Sequence, residues 1–184
     1  ANAHFINSNT SGLHLALEIF KREYGWSSSA EILTTPLTFV ATNHTILQAG
    51  LKPRFVDVDD QLCIDLNALR DRLTNACKAV VFVGIGGNIG QFYEISAFCK
   101  ENGLLLILDA AHMAGTKASG DQVGKEADCS VFSFQAVKNL PTADSGMICF
   151  NSDYFDEVVR KLSWMGIDKT TFKRSQTDGY KWDY

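Results

Sequence analysis

The sequence predicts an α/β fold of three layers, with helices on both faces of a mostly parallel sheet. Short runs rich in Val, Ile, Leu and Phe alternate along the chain with stretches of helical spacing. Those runs are apolar almost without interruption, as strands covered on both faces are. Turn residues, glycine above all, punctuate the changes of period. At 184 residues and 46% hydrophobic content the chain can bury a sizeable core and reads most simply as one domain.

The loop Asn7 to Gly12 leads into LHLALEIFKREYG, where Leu13, Leu17 and Phe20 share one helical face and Gly25 supplies the stop. Glu31 to Thr35 is a short strand broken by Pro36, and TFVATNHTILQAG reads as a second helix ending at Gly50. KPRFVDVD is the next strand, followed by a helix capped by Asp65. CKAVVFVG leads through GGNIGQ to a helix ending near Gly103, and LLLILD and CSVFSF are further strands. GMICFN completes the set, before a helix from about Ser152 to Met165 that opens on Ser152 or Asp153. Residues 1–166 are assigned to this large domain and 167–184 to a polar tail leading towards a C-terminal domain. Both ends are expected to be cuts in a longer protein.

Composition removes several classes of function. A net charge of −4 with dispersed lysines and arginines gives no footprint for nucleic acid. The longest apolar runs are too short and too often broken to span a membrane. Cys63, Cys77, Cys99, Cys129 and Cys149 are odd in number and have no C-x-x-C spacing, so they are expected as buried free thiols of a cytoplasmic protein.

In a parallel sheet, ligands sit at the carboxyl ends of the strands, where distant loops meet. Asp109 ends LLLILD, and Ser133 and Lys138 lie where CSVFSF gives way to a loop. One carboxylate, one lysine and a hydroxyl between them are the parts of a pyridoxal 5'-phosphate (PLP) site. The lysine forms a Schiff base with the coenzyme aldehyde, and the carboxylate keeps the pyridine nitrogen protonated. NSNTSG, immediately before the first helix, offers hydroxyls, a positive dipole end and the backbone amides of Thr10, Ser11 and Gly12 for a phosphate. A rival pattern exists in AVVFVGIGGNIG. Its glycines follow a strand and precede a helix, with Asp109 about twenty residues on, as in NAD(P)-binding dinucleotide folds. The spacing is G-x-G-x-x-x-G, however, and that reading leaves Ser133 and Lys138 unused.

The segments SNTSGLHLAL, ILTTPLTFVATNHTILQAGLKPRFVDVD, LLLILDAAH and VFSFQAVKNL, in that order, resemble the DegT/DnrJ/StrS nucleotide-sugar aminotransferases, a PLP-dependent family of fold type I. The resemblance runs to about Asn151. It implies that Lys138 is the Schiff-base lysine and that Asp109 pairs with the pyridine nitrogen. It further implies that Thr10, Ser11 and Ser133 hold the phosphate, that Phe39 and Ala111 cover the two ring faces, and that His112, often glutamine in the family, contacts the phenolic oxygen. Lys138 itself favours transamination, because a related dehydrating branch carries histidine there. The implied reaction moves an amino group from an amino acid, glutamate being the expected donor, to a nucleotide-linked keto sugar, in a homodimer with shared sites. A non-catalytic module of the same fold is the other reading. Three departures stand out: Asn9 in place of the usual glycine, Gly84 in place of a common histidine, and PTADSG in place of a glycine-rich run.

Overall fold

The computed structural model describes residues 2–167. Strand β1 (Ala3–Ile6) precedes helix α1 (Asn9–Glu23), followed by β2 (Glu31–Thr34), α2 (Val40–Gln48), β3 (Lys52–Phe55) and α3 (Leu66–Arg72). Next come β4 (Cys77–Val83), a 3-10 turn (Ile85–Gly87), α4 (Phe92–Glu101) and β5 (Leu105–Ala110). The small strands β6 (Lys117–Ala118) and β7 (Asp121–Gln122) pair with each other, and β8 (Cys129–Ser133), β9 (Gly146–Phe150) and α5 (Asp153–Leu162) complete the described chain.

Seven strands form one sheet in the order β1-β9-β8-β5-β4-β2-β3. The run from β8 to β3 is parallel, β9 is antiparallel to β8, and β1 is antiparallel to β9. Alternate residues of each inner strand serve opposite faces. Ala79, Val81 and Ile107 join Leu13, Leu17, Phe20, Ile46 and Val159 beneath α1, α2 and α5. Val80, Phe82, Leu106 and Leu108 join Leu69, Phe92, Ile95 and Cys99 beneath α3 and α4. The predicted three-layer α/β fold is therefore the one observed. Phe20 is fully buried and meets Phe150 and Phe155 edge-on, with ring centroids 5.8 and 5.2 Å away.

Local signals account for most boundaries. Gly25 and Gly50 take left-handed φ of 62° and 69° just past α1 and α2, a conformation in which a side chain is strained. Asp65 caps α3 by accepting from the Ala68 amide at 2.7 Å. Pro53 is tolerated because β3 is an edge strand. Other expectations need correcting. α1 begins at Asn9, so Asn9 to Gly12, read as part of the loop before it, form its first turn. The strand expected over KPRFVDVD stops at Phe55. β1 and the β6–β7 pair have no counterpart in the sequence reading. All five cysteines are free, four of them buried and Cys149 half-buried. Burial pushes the Cys63 thiol up to about 11 and that of Cys99 to about 12. The polar tail assigned to 167–184 lies, beyond Ile167, outside the described residues.

Candidate active site

The carboxyl ends of the parallel strands open on one cavity of about 610 Å³, a volume within the range of small-molecule sites. Thr10, Phe39, Asp109, Ala111, His112, Ser133 and Lys138 all line it. Ser11 does not. Its amide donates to the Ser8 hydroxyl at 3.2 Å, and it lines a neighbouring, larger cavity. The amide of Gly12 is spent inside α1, on the Ser8 carbonyl at 3.1 Å. The amides of Asn9 and Thr10, in the first turn of α1, are the ones left to receive an anion.

Asp109 is the best-anchored group in the cavity. Its carboxylate is 4% exposed. Oδ1 accepts from Asn9 Nδ2 at 3.1 Å and from the Ala111 amide at 3.2 Å, while Oδ2 accepts from the Thr42 hydroxyl at 2.7 Å. Burial nevertheless pushes its pKa up, against the opposing pull of the Thr42, Ala111 and Asn9 donors and of His112. An acid so buried, with three donors already fixed, has one further lone pair to offer and is stabilised as an anion by any cation placed there.

His112 is turned by a backbone group. Its Nδ1 accepts from the Gly86 amide at 3.1 Å, which puts the ring proton on Nε2. Burial lowers its pKa, as does the neighbouring Lys138 ammonium, with Asp109 pulling the other way. The ring is thus a neutral donor. Gly86 reaches it from a left-handed φ of 61°.

Lys138 stands on the loop between β8 and β9, whose base is pinned by the Phe134 amide donating to the Ser145 carbonyl at 2.8 Å and by the Thr142 amide donating to Phe134 at 2.7 Å. Its own amide donates to Gln135 at 2.9 Å. Asn139 ties the loop to the segment after β5 by donating to the Ala114 carbonyl. Lys138 is the one amine among the lining residues, and its ammonium has no hydrogen-bond or ion-pair partner among the described residues. Phe39, 74% exposed, overhangs the opening from the start of α2.

The cavity suits PLP in charge and chemistry: buried acid, neutral imidazole donor, primary amine and paired helix-start amides, with the Ser8 and Ser133 side chains beside them. The glycine run after β4 suits a dinucleotide poorly. A side chain at Gly84 would enter the Met113 thioether, one at Gly90 would meet Cys63, and the Gly86 amide is committed to His112. Gly84 and Gly90 serve close packing and Gly86 serves His112, which corrects the dinucleotide alternative.

Residues to which the sequence reading gave no role are also there. Thr42 and Asn9 hold Asp109, while Thr38, Gln135 and Asp144 line the walls. The pair of threonines at 38 and 42, four residues apart across the start of α2 and joined by a 2.8 Å hydroxyl contact, is the signal that could have found Thr42.

Comparison with known proteins gives a consistent picture. The chain is 36% identical over 180 residues to the spore coat polysaccharide biosynthesis protein SpsC of Bacillus subtilis, covering 97% of this chain and 45% of that one. It is 35% identical over 167 residues to the UDP-4-amino-4,6-dideoxy-N-acetyl-beta-L-altrosamine transaminase of Campylobacter jejuni, covering 89% and 43%. Among solved structures, PseC of Helicobacter pylori, an aminotransferase involved in the biosynthesis of pseudoaminic acid, superposes with a TM-score of 0.89 at 30% identity over 99% of this chain and 47% of that one. The chain thus spans about half the length of the relatives it matches. The model of the DegT/DnrJ/EryC1/StrS aminotransferase family, a PLP-dependent family, matches residues 1–182, and the chain belongs to that family.

Proposed function

We propose that this chain carries the coenzyme site of a PLP-dependent aminotransferase. The enzyme moves an amino group from an amino acid, glutamate being the expected donor, to a nucleotide-linked keto sugar. The single observation behind this reading is that Lys138, from the loop between β8 and β9, lines one cavity with Asp109 and His112, from the end of β5 and the turn that follows it. The relatives' names, a UDP-sugar transaminase and a polysaccharide biosynthesis protein, support the substrate class.

When bound, PLP supplies an aldehyde and an electron-accepting ring. The protein's part is to hold and orient it. Asp109 Oδ2 would face the ring nitrogen and favour its protonated form, and the three donors to the carboxylate partly offset the cost of its burial as an anion. The His112 Nε2–H group would donate to the phenolic oxygen. The amides of Asn9 and Thr10 and the hydroxyls of Thr10 and Ser133 receive the phosphate. Phe39 and Ala111, which both line the cavity, would cover the two faces of the ring. Lys138 Nζ is the amine that would hold the coenzyme at its aldehyde and, as a free amine, would serve as the proton carrier.

A homodimer accounts for the open side of the cavity, where Phe39 and Val137 stand 74% and 83% exposed. The enzyme acts in the cytoplasm, where five unpaired cysteines stay reduced. No described helix is long and apolar enough to cross a membrane.

The test is a single turnover. The full chain is loaded with PLP and given glutamate, and the 2-oxo acid is assayed. About one equivalent per site is expected; none from glutamate, glutamine or aspartate overturns the aminotransferase reading.

A further inference from the structure

Asn9 is a departure from the resembling family's usual glycine, and its side chain is put to use. The amide is 8% exposed at the first position of α1. Its Nδ2 lies 2.8 Å from the Val131 carbonyl oxygen and 3.1 Å from Asp109 Oδ1. Both amide hydrogens therefore meet acceptors. The flipped orientation would aim the amide oxygen at two oxygens, so the assignment is fixed by the network. Val131 on β8 is also the register partner of Asp109 on β5. One side chain thus ties the start of α1 to two adjacent strands at the level of the buried acid.

The coenzyme reading puts the phosphate at the start of α1 and the ring nitrogen at Asp109, and both line the one cavity. With Oδ1 held by Asn9 and the Ala111 amide, the carboxylate cannot turn freely, and the open lone pair left on Oδ2 keeps a fixed direction. We propose that Asn9 is a positioning residue, which sets the distance between the phosphate cradle and Asp109 and the orientation in which Asp109 meets the ring nitrogen of PLP. This rests on the coenzyme reading above. A glycine at position 9 could leave the backbone amide in place but could do neither of these things.

The test compares the parent chain with Asn9→Ala. Binding of PLP, and of 4-deoxypyridoxine 5'-phosphate, which has no aldehyde for Lys138, is followed by absorbance and fluorescence. Losing one hydrogen bond to a charged group predicts about tenfold weaker binding of both ligands. A ring nitrogen less firmly protonated makes the ring less electron-poor, so the visible band of bound PLP titrates at a higher pH in the variant. A purely structural role would lower the melting temperature and leave the pH midpoint unmoved. That result, or dissociation constants within twofold of the parent, overturns the proposal. Should Asn9→Ala not fold, as judged by circular dichroism, Asn9→Ser carries the same expectations. A parent that takes up neither ligand overturns the coenzyme reading instead.

Discussion

Replacing Thr42 by valine changes a hydroxyl for a methyl of nearly the same shape, at a side chain 1% exposed. The change removes the 2.7 Å bond to Asp109 Oδ2 and the 2.8 Å link to Thr38. A hydrogen bond to a charged group contributes about 1.5–3 kcal/mol, and a neutral one about 0.5–1.5 kcal/mol. The cost therefore depends on whether Asp109 is ionised. Its pKa is raised in the folded protein, chiefly by burial. The folded state then holds the proton to higher pH than the unfolded chain does. Stability associated with Asp109 is fully present below the ordinary carboxylate value, about 4, and is lost as pH rises through the raised value. The Thr42 donor opposes that rise, so its removal moves the loss further. In the coenzyme-free protein, Thr42→Val should cost about 1 kcal/mol near pH 4 and about 2 kcal/mol once Asp109 is ionised. The larger value lowers the melting temperature by roughly 4–8 °C for a chain of this size. Urea unfolding of both proteins from pH 4 to pH 8 reads the difference directly. A gap that stays flat across that range, or widens towards acid, refutes the claim that Thr42 supports the charged form.

Other substitutions test the rest of the frame. A methyl at Gly146 would stand 2.7 Å from the Phe132 carbonyl oxygen and 2.9 Å from the backbones of Asn9 and Ser8. Because backbone cannot yield as a side chain does, Gly146→Ala should cost about 3 kcal/mol, the upper end of overpacking. It should also weaken phosphate binding at the start of α1; a urea midpoint equal to the parent's contradicts this. Phe20→Ala, at the meeting point of α1, α5 and β9, should lose about 3–5 kcal/mol with no change in the residues of the cavity. For His112, an NMR titration of the ring should give a midpoint below the ordinary 6.5, because burial and the Lys138 ammonium both disfavour the charged form. A midpoint above that value means the Gly86 amide does not hold the neutral ring.

Much of the fold could be read from local pattern, because its strands are short apolar runs and its stops are glycines with nowhere else to go. β1 could not be read, since the four residues AHFI become a strand only by pairing with β9, more than 140 residues later. Gly12 misled the reading of α1: it marks a helix lying close on Ile6 and Val131, where any side chain would intrude, and not the end of a loop. KPRFVDVD kept its strand pattern past Phe55, but the chain turns away there so that Val58 can bridge to Ile64.

The cavity followed the same division. Lys138, Ser133 and Asp109 were legible because each sits just past an apolar run, where a parallel sheet gathers its loops. The partners of Asp109 were not. Thr42 and Asn9 reach it across 67 and 100 residues of sequence, and no local pattern encodes such a meeting. Ser11 shows the limit of reading a helix start by composition: which amides remain free depends on which serine turns inward to cap, and here Ser8 takes the amide of Ser11.

The proposed role of Lys138 as the coenzyme amine is tested most directly by chemical trapping. The full chain is incubated with PLP, reduced with borohydride, digested, and the modified peptide is sequenced by mass spectrometry. The account predicts a single pyridoxyl mark on Lys138 and none in the Lys138→Ala variant. A mark spread over surface lysines, or an equal yield from the variant, contradicts it.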